Sequence, residues 1–315
     1  MATAFIFPGQ GSQAVGMGKS LAEAFPVARA VFDEVDAALA QKLSALMWEG
    51  PSEELTLTAN AQPALMAVSL AAIRVLEAEA GLSLARDATF VAGHSLGEYS
   101  ALAAAGTFSI SDAARLLRIR GDAMQKAVPA GEGAMAALLG VDLDQARSIA
   151  ADAAEGQVCE AANDNGGGQV VLSGARAAVE RAIALAGERG VRRAMLLPVS
   201  APFHCALMQP AAEAMQAALA EVAMAAPVVP VMANVGAAPL SDPAAIRASL
   251  VAQVTGTVRW RECVEAMAAA GVTQFFEVGS GKVLAGLVKR IAAGAAASSI
   301  GSPDDVASYK AQRGV

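Results

Sequence analysis

The chain has 315 residues, 55% hydrophobic and only 17% charged, which is enough apolar material for two domains or one large one and excludes disorder. Aromatic residues make up 4%, and 23 basic against 30 acidic residues leave a formal charge of −7. That balance excludes a π-stacking nucleic-acid platform and any general attraction to phosphate or an anionic membrane, so an acidic partner must meet a local basic patch.

The first strand is expected at 4–7 (AFIF). No Lys or Arg precedes Lys19, and this apolar run is far too short for a signal-peptide core. The mean hydropathy of +0.44 comes largely from alanine. No uninterrupted apolar stretch approaches the ~18 residues of a membrane span. Cys159, Cys205 and Cys263 lie far apart, without disulfide or zinc spacing. The expectation is a cytoplasmic chain with no membrane segment and no metal. The turn after the first strand, GQGSQA, satisfies a loose GxGxxA dinucleotide pattern through Gly9, Gly11 and Ala14. The ribose-binding acid expected about 20 residues on should end a strand, whereas 28–43 reads as a helix, so the turn is not a dinucleotide loop.

A second strand is expected at 88–92 (ATFVA), followed by GHSLG and a helical pattern, and another helix begins near Ser111. The rhythm then changes between Pro129 and Pro198. Strands at 133–140, 158–162, 169–173 and 193–198 alternate with helices at 143–154 and 176–187, the βαββαβ order of a ferredoxin-like unit. The glycine-rich segment AANDNGGG reads as a turn whose amides could line a cleft. Strands resume at 227–235 and 273–278. GSGKVL, at 279–284, lacks the first glycine of a phosphate-binding GxxxxGK loop and reads as a turn at a strand's C-terminal end. The predicted architecture is α/β: a parallel-sheet domain formed by 1–128 and 199–300, an inserted ferredoxin-like subdomain at 129–198, and a loosely ordered tail at 301–315.

Gly93–Gly97 carries the chemistry. A GxSxG turn between strand and helix exposes Ser95 above the sheet, and the glycines relieve the crowding of so sharp a turn. A serine nucleophile needs a base, and the chain has two histidines. His94 adjoins the serine and points away from it. His204, in a loop after a strand and before a helix, is the candidate base, its neutral form favoured by that helix terminus. No acid stands in the order of an ordinary hydrolase triad, so a dyad oriented by backbone or amide groups is expected. Arg120 falls on the apolar stripe of its helix with Leu116, Ala123 and Ala127, where a charge requires an anion: an internal Asp or Glu, or a substrate carboxylate.

FPGQGSQ, GHSLGEYSAL, RGDAMQ, APFHCALM and EVGSGKVL, in this order, resemble the bacterial malonyl-CoA:acyl carrier protein transacylases from the first strand to about Arg290. The resemblance implies a hydrolase-like α/β domain with a ferredoxin-like insertion, Ser95 as the acylated nucleophile and His204 as its base. It also implies Arg120 as the malonyl-carboxylate ligand, Gln10 and the Leu96 backbone as oxyanion-hole positions, and Gln253 as the residue whose carbonyl orients the histidine. Asn163 and Gln169 match polar cleft residues. Phe203 beside the histidine resembles the malonyl-selective type, with polyketide-type transfer as an alternative. The implied partners are malonyl-CoA, as substrate rather than cofactor, and an acidic carrier protein. The pairs Arg192–Arg193 and Lys289–Arg290 are candidates for docking the carrier on a monomeric enzyme. Two rivals use other chemistry: a serine esterase or thioesterase, and a non-enzymatic carrier-binding module.

Overall fold

Every side chain from Ala4 to Phe7 is buried, and a strand covered on both faces belongs in the middle of a parallel sheet. In the computed structural model, which describes residues 2–314, that strand, β1 (Ala2–Phe7), lies between β2 (Phe90–Gly93) and β9 (Val272–Val278). The six-stranded sheet is completed by β10 (Ala296–Ile300) beside β9 and by β7 (Val231–Ala233) and β8 (Ala238–Leu240) beyond β2, all parallel except β8. Strand β7 is shorter than the 227–235 expected, because Pro227 and Pro230 have no N–H to give a ladder. Strand β10 escaped the sequence reading altogether: AASSI has little β-propensity and is held by its pairing with β9.

The segment between forms its own antiparallel sheet of β3 (Gly133–Leu139), β4 (Cys159–Gly166), β5 (Gln169–Ala175) and β6 (Arg193–Leu196), in the order β4-β5-β3-β6. Its helices Leu143–Ala154 and Arg176–Glu188 cover one face with a separate apolar core. Strand β4 runs four residues past its expected end. The extension is stitched to the larger domain: Val258 N–H donates to Ala162 O at 2.8 Å, Asp164 N–H donates to Val258 O at 2.9 Å, and Arg261 pairs with Asp164 at 2.9 Å. A cleft between the two sheets results.

Helix Thr58–Ala80 is long and apolar enough to cross a membrane, but 89% of its most apolar window is buried inside the fold as a core element. The expected loose tail at 301–315 is corrected by the structure. Pro303–Arg313 is a helix with a Ser302–Asp305 capping box, and Val306 and Tyr309 are buried. Tyr309 meets Phe276 edge-on with ring centroids 5.0 Å apart, and Arg313 pairs with Asp87 at 3.0 Å. Two anchors in a polar segment suffice once a capping box starts the helix, and so sparse a pattern has no visible period.

Candidate active site

Strand β2 ends in Gly93 and helix Gly97–Ala104 begins four residues later. A Cβ on Gly93 would sit 1.9 Å from the Gly97 carbonyl, and one on Gly97 would sit 2.2 Å from Phe7 O, so the turn closes only with glycine at both positions. Between them Ser95 is held at φ 53°, a left-handed conformation that non-glycine residues adopt at some cost. The Ser95 N–H donates to Asn234 Oδ1 at 2.8 Å. The N–H groups of Leu96 and Gln10 have no acceptor among the described residues, and both residues line the cleft.

His204 is also left-handed, at φ 58°, and is 4% exposed. Its Nε2 lies 2.7 Å from Ser95 Oγ and its Nδ1 lies 2.8 Å from Gln253 O. A carbonyl only accepts, so Nδ1 carries the proton and Nε2 is the free base. Burial, then the nearby Arg120 charge, push the imidazole down to about 3, and it is neutral at physiological pH. The cause differs from the helix terminus expected from sequence: a short 3₁₀ turn, Ala206–Met208, separates His204 from helix Gln209–Ala220. His94 engages Asn165 Oδ1 through Nε2 at 2.9 Å.

Arg120 comes from helix Ile110–Lys126, which is started by the Ser109 cap. It is 1% exposed, and all of its hydrogen-bond acceptors are neutral: Gln62 Oε1 at 2.8 Å, Gln253 Oε1 at 2.8 Å and Ser95 Oγ at 3.1 Å. Its Nε has no partner, and no carboxylate lies within ion-pair distance among the described residues. The internal salt bridge that sequence left open is absent there. Thr58 bridges Gln62 to Gln10, joining the Gln10 loop to the guanidinium through bonds of 3.0 Å.

These groups face a cleft of about 520 Å³ lined also by Asn163, Gln169, Phe203, Met124 and Met135. Gln253 stands behind it, 0% exposed, and touches His204 and Arg120 rather than the open space.

Residues 4–303 match the acyl transferase domain family. The chain is 48% identical to the malonyl CoA-acyl carrier protein transacylase of Escherichia coli K12, over 96% of this chain and 97% of that one. The chain belongs to the malonyl-CoA:acyl carrier protein transacylase family. Its fold matches that of the acyl-carrier-protein S-malonyltransferase of Bartonella henselae with a TM-score of 0.97 and 58% identity over the whole of both chains. It likewise matches a malonyl-transacylase solved in complex with a type II polyketide acyl-carrier protein, at a TM-score of 0.95 and 41% identity, over 99% of this chain and 100% of that one.

Within this family member the sequence reading missed Gln62, Thr58, Asn165, Asn234 and Glu98. Gln62 and Thr58 sit on an apolar helix whose polar residues look incidental. Asn234 had a faint signal, an Asn just beyond a core strand at the sheet's C-terminal edge.

Proposed function

We propose that this chain moves a malonyl group from malonyl-CoA to the phosphopantetheine thiol of an acyl carrier protein through a malonyl-Ser95 intermediate, supplying extender units for fatty acid synthesis. The observation that carries the residue roles is a single serine oxygen within hydrogen-bond reach of both a neutral, oriented histidine and a buried guanidinium with no carboxylate partner.

In the first half-reaction the Ser95 hydroxyl proton passes to His204 Nε2 as Oγ bonds to the thioester carbon. The resulting oxyanion takes the free N–H groups of Leu96 and Gln10, donors that need no rearrangement. Collapse breaks the C–S bond, and the imidazolium gives its proton to the CoA thiolate. In the second half the carrier's thiol loses its proton to His204, its sulfur attacks the ester carbon, and Oγ leaves with the proton returned. Arg120, whose Nε has no partner, pairs its guanidinium with the malonyl carboxylate, and Asn163 and Gln169 line the path of the pantetheine arm. Each step uses the chain's own groups, with no resident cofactor or metal.

Carrier docking is supported by the surroundings of the Gly166–Gly168 turn. A Cβ on Gly167 would lie 3.3 Å from Arg290 Cβ, and one on Gly140, whose N–H donates to Gly168 O, would lie 3.3 Å from Arg192 Cβ. Arg192, Arg193, Lys289 and Arg290 are all exposed, and Arg192 and Arg290 flank this turn, a local pair of positive charges on an acidic protein. The enzyme is read as a cytoplasmic monomer. A carrier of polyketide synthesis would use the same chemistry, as the relative solved with such a carrier suggests.

Intact-mass analysis after incubation with malonyl-CoA tests the reading. The wild-type chain gains one malonyl group that holo-carrier protein then removes, and Ser95→Ala gains none. Full labelling of Ser95→Ala would refute it, and hydrolysis of the label without transfer would favour the thioesterase.

A further inference from the structure

An acid in the first turn of a helix ordinarily faces solvent and complements the helix dipole. Glu98 does the opposite: it lies in the first turn of Gly97–Ala104, points inward and is 1% exposed. Its Oε2 accepts from Gln253 Nε2 at 2.8 Å and from Asn234 N–H at 3.0 Å, and its Oε1 has no partner. Those two donor residues hold the nucleophile. Asn234 Oδ1 takes the Ser95 N–H at 2.8 Å, Asn234 Nδ2 donates to Gly93 O at 2.7 Å, and Gln253 Nε2 donates to Ser95 O at 3.1 Å.

We propose that Glu98 is the positioning residue of this site, one buried carboxylate oxygen that acts through Asn234 and Gln253 on both backbone polar groups of Ser95 and so aims its hydroxyl at His204. The inference rests on acyl transfer through Ser95 and adds a residue to it.

Polarity explains why an acceptor is needed. The Gln253 amide has two ends, and its function requires Oε1 toward Arg120 and Nε2 toward Ser95 O. Arg120 can only donate and Glu98 offers an acceptor, so the amide is fixed from both sides. Glu98 also faces Arg120 across that one amide, and the guanidinium has no direct internal ion pair. Ser95 needs such a brace because its left-handed backbone is costly to hold. Its C=O also takes the Glu98 backbone N–H at 3.0 Å, so the side chain's own share falls on the Ser95 N–H, through Asn234, and on the second bond to the C=O, through Gln253. Burial pushes the Glu98 carboxyl up to about 7. A proton taken up there goes to the unpartnered Oε1, and Oε2 keeps both of its donors.

The test compares Glu98→Leu, which fills the space without an acceptor, with Glu98→Gln, which retains one. Quenched-flow mass analysis of the full chain with malonyl-CoA gives two separate quantities: the fraction of molecules that become acylated and the rate constant of acylation. Misplacement of a reacting group by about 1 Å costs about a hundredfold, so Glu98→Leu acylates to full amplitude with a rate constant lower by about that factor. Glu98→Gln stays within about threefold of wild type, since its amide oxygen replaces Oε2. A merely structural role gives the reverse for Glu98→Leu, a reduced amplitude and melting temperature with an unchanged rate constant in the folded fraction, and that result overturns the proposal. So does a Glu98→Gln variant slower than Glu98→Leu. Should Glu98→Leu fail to fold, Gln253→Leu carries the same test with acetyl-CoA as donor: it keeps the backbone carbonyl that holds His204, and an acetyl group, having no carboxylate, does not register the Arg120 acceptor that the variant also removes. A slowed rate at full amplitude then supports the proposal, and an unchanged rate constant overturns it. The wild-type arm separates the two readings: no acylation of wild type at Ser95 defeats the transfer mechanism itself, whereas normal wild-type acylation with fast variants defeats only the role of Glu98.

Discussion

Arg120→Ala is the most informative perturbation, because the guanidinium spends none of its charge on a direct internal ion pair. Its acceptors are two side-chain amides and the nucleophile, its Nε has no partner, and the residue lines the cleft. Removing one partner of a desolvated, hydrogen-bonded charge pair costs ~2–5 kcal/mol. At about 1.4 kcal/mol per decade, kcat/KM for malonyl-CoA should fall by about 30-fold to a few thousand-fold. Acetyl-CoA carries no carboxylate to lose. Its turnover should be unchanged or rise, because Ser95 Oγ also sheds a donor that holds one of its lone pairs. The ratio of the two specificity constants therefore collapses or inverts. The assay measures both constants with saturating carrier protein, alongside the melting temperature and an Arg120→Met variant that refills most of the volume. Equal falls for malonyl and acetyl in a folded variant would refute the substrate-binding role and return Arg120 to a structural one.

His204 is neutral down to about pH 3, so kcat/KM per folded molecule should be flat from pH 8 to pH 5, and an acid limb centred on the ordinary histidine value of about 6.5 would count against the site's electrostatics. Its linkage to stability has a definite sign: a depressed folded-state value gives a contribution present above 6.5 and lost as pH falls toward 3, so His204→Ala should flatten the acid-side decline of the melting temperature. Glu98 has the opposite sign, its contribution being complete below the ordinary carboxyl value of 4.5 and lost as pH rises through about 7. Charge reversal at Arg192 or Arg290 should raise the apparent KM for carrier protein while sparing acylation by malonyl-CoA. Equal effects on both half-reactions would show that these residues do not dock the carrier.

Much of this protein was legible in the chain itself. The run AFIF, buried on both faces, the strand–GxSxG–helix turn and the βαββαβ order each follow from local sterics and hydrophobic period, which act over a few residues and leave their mark in sequence. Ser95, His204 and Arg120 could be named for similar reasons: a constrained turn, a scarce residue type, and a charge on an apolar stripe. What the chain did not disclose is how these residues are held. Gln62 from one helix, Gln253 from another, Asn234 from the end of β7 and Glu98 from the helix after the nucleophile meet only when the strands stack. In sequence each is an ordinary polar residue, because a hydrogen bond depends on distance and direction rather than on any repeating pattern. The C-terminal helix makes the same point in apolar terms. Val306 and Tyr309 are too few to give a period, and their burial against Phe276 and its neighbours exists only in the assembled core. Local rules thus chose the strands, turns and reacting groups, and tertiary structure decided the long-range polar contacts that hold those groups in place.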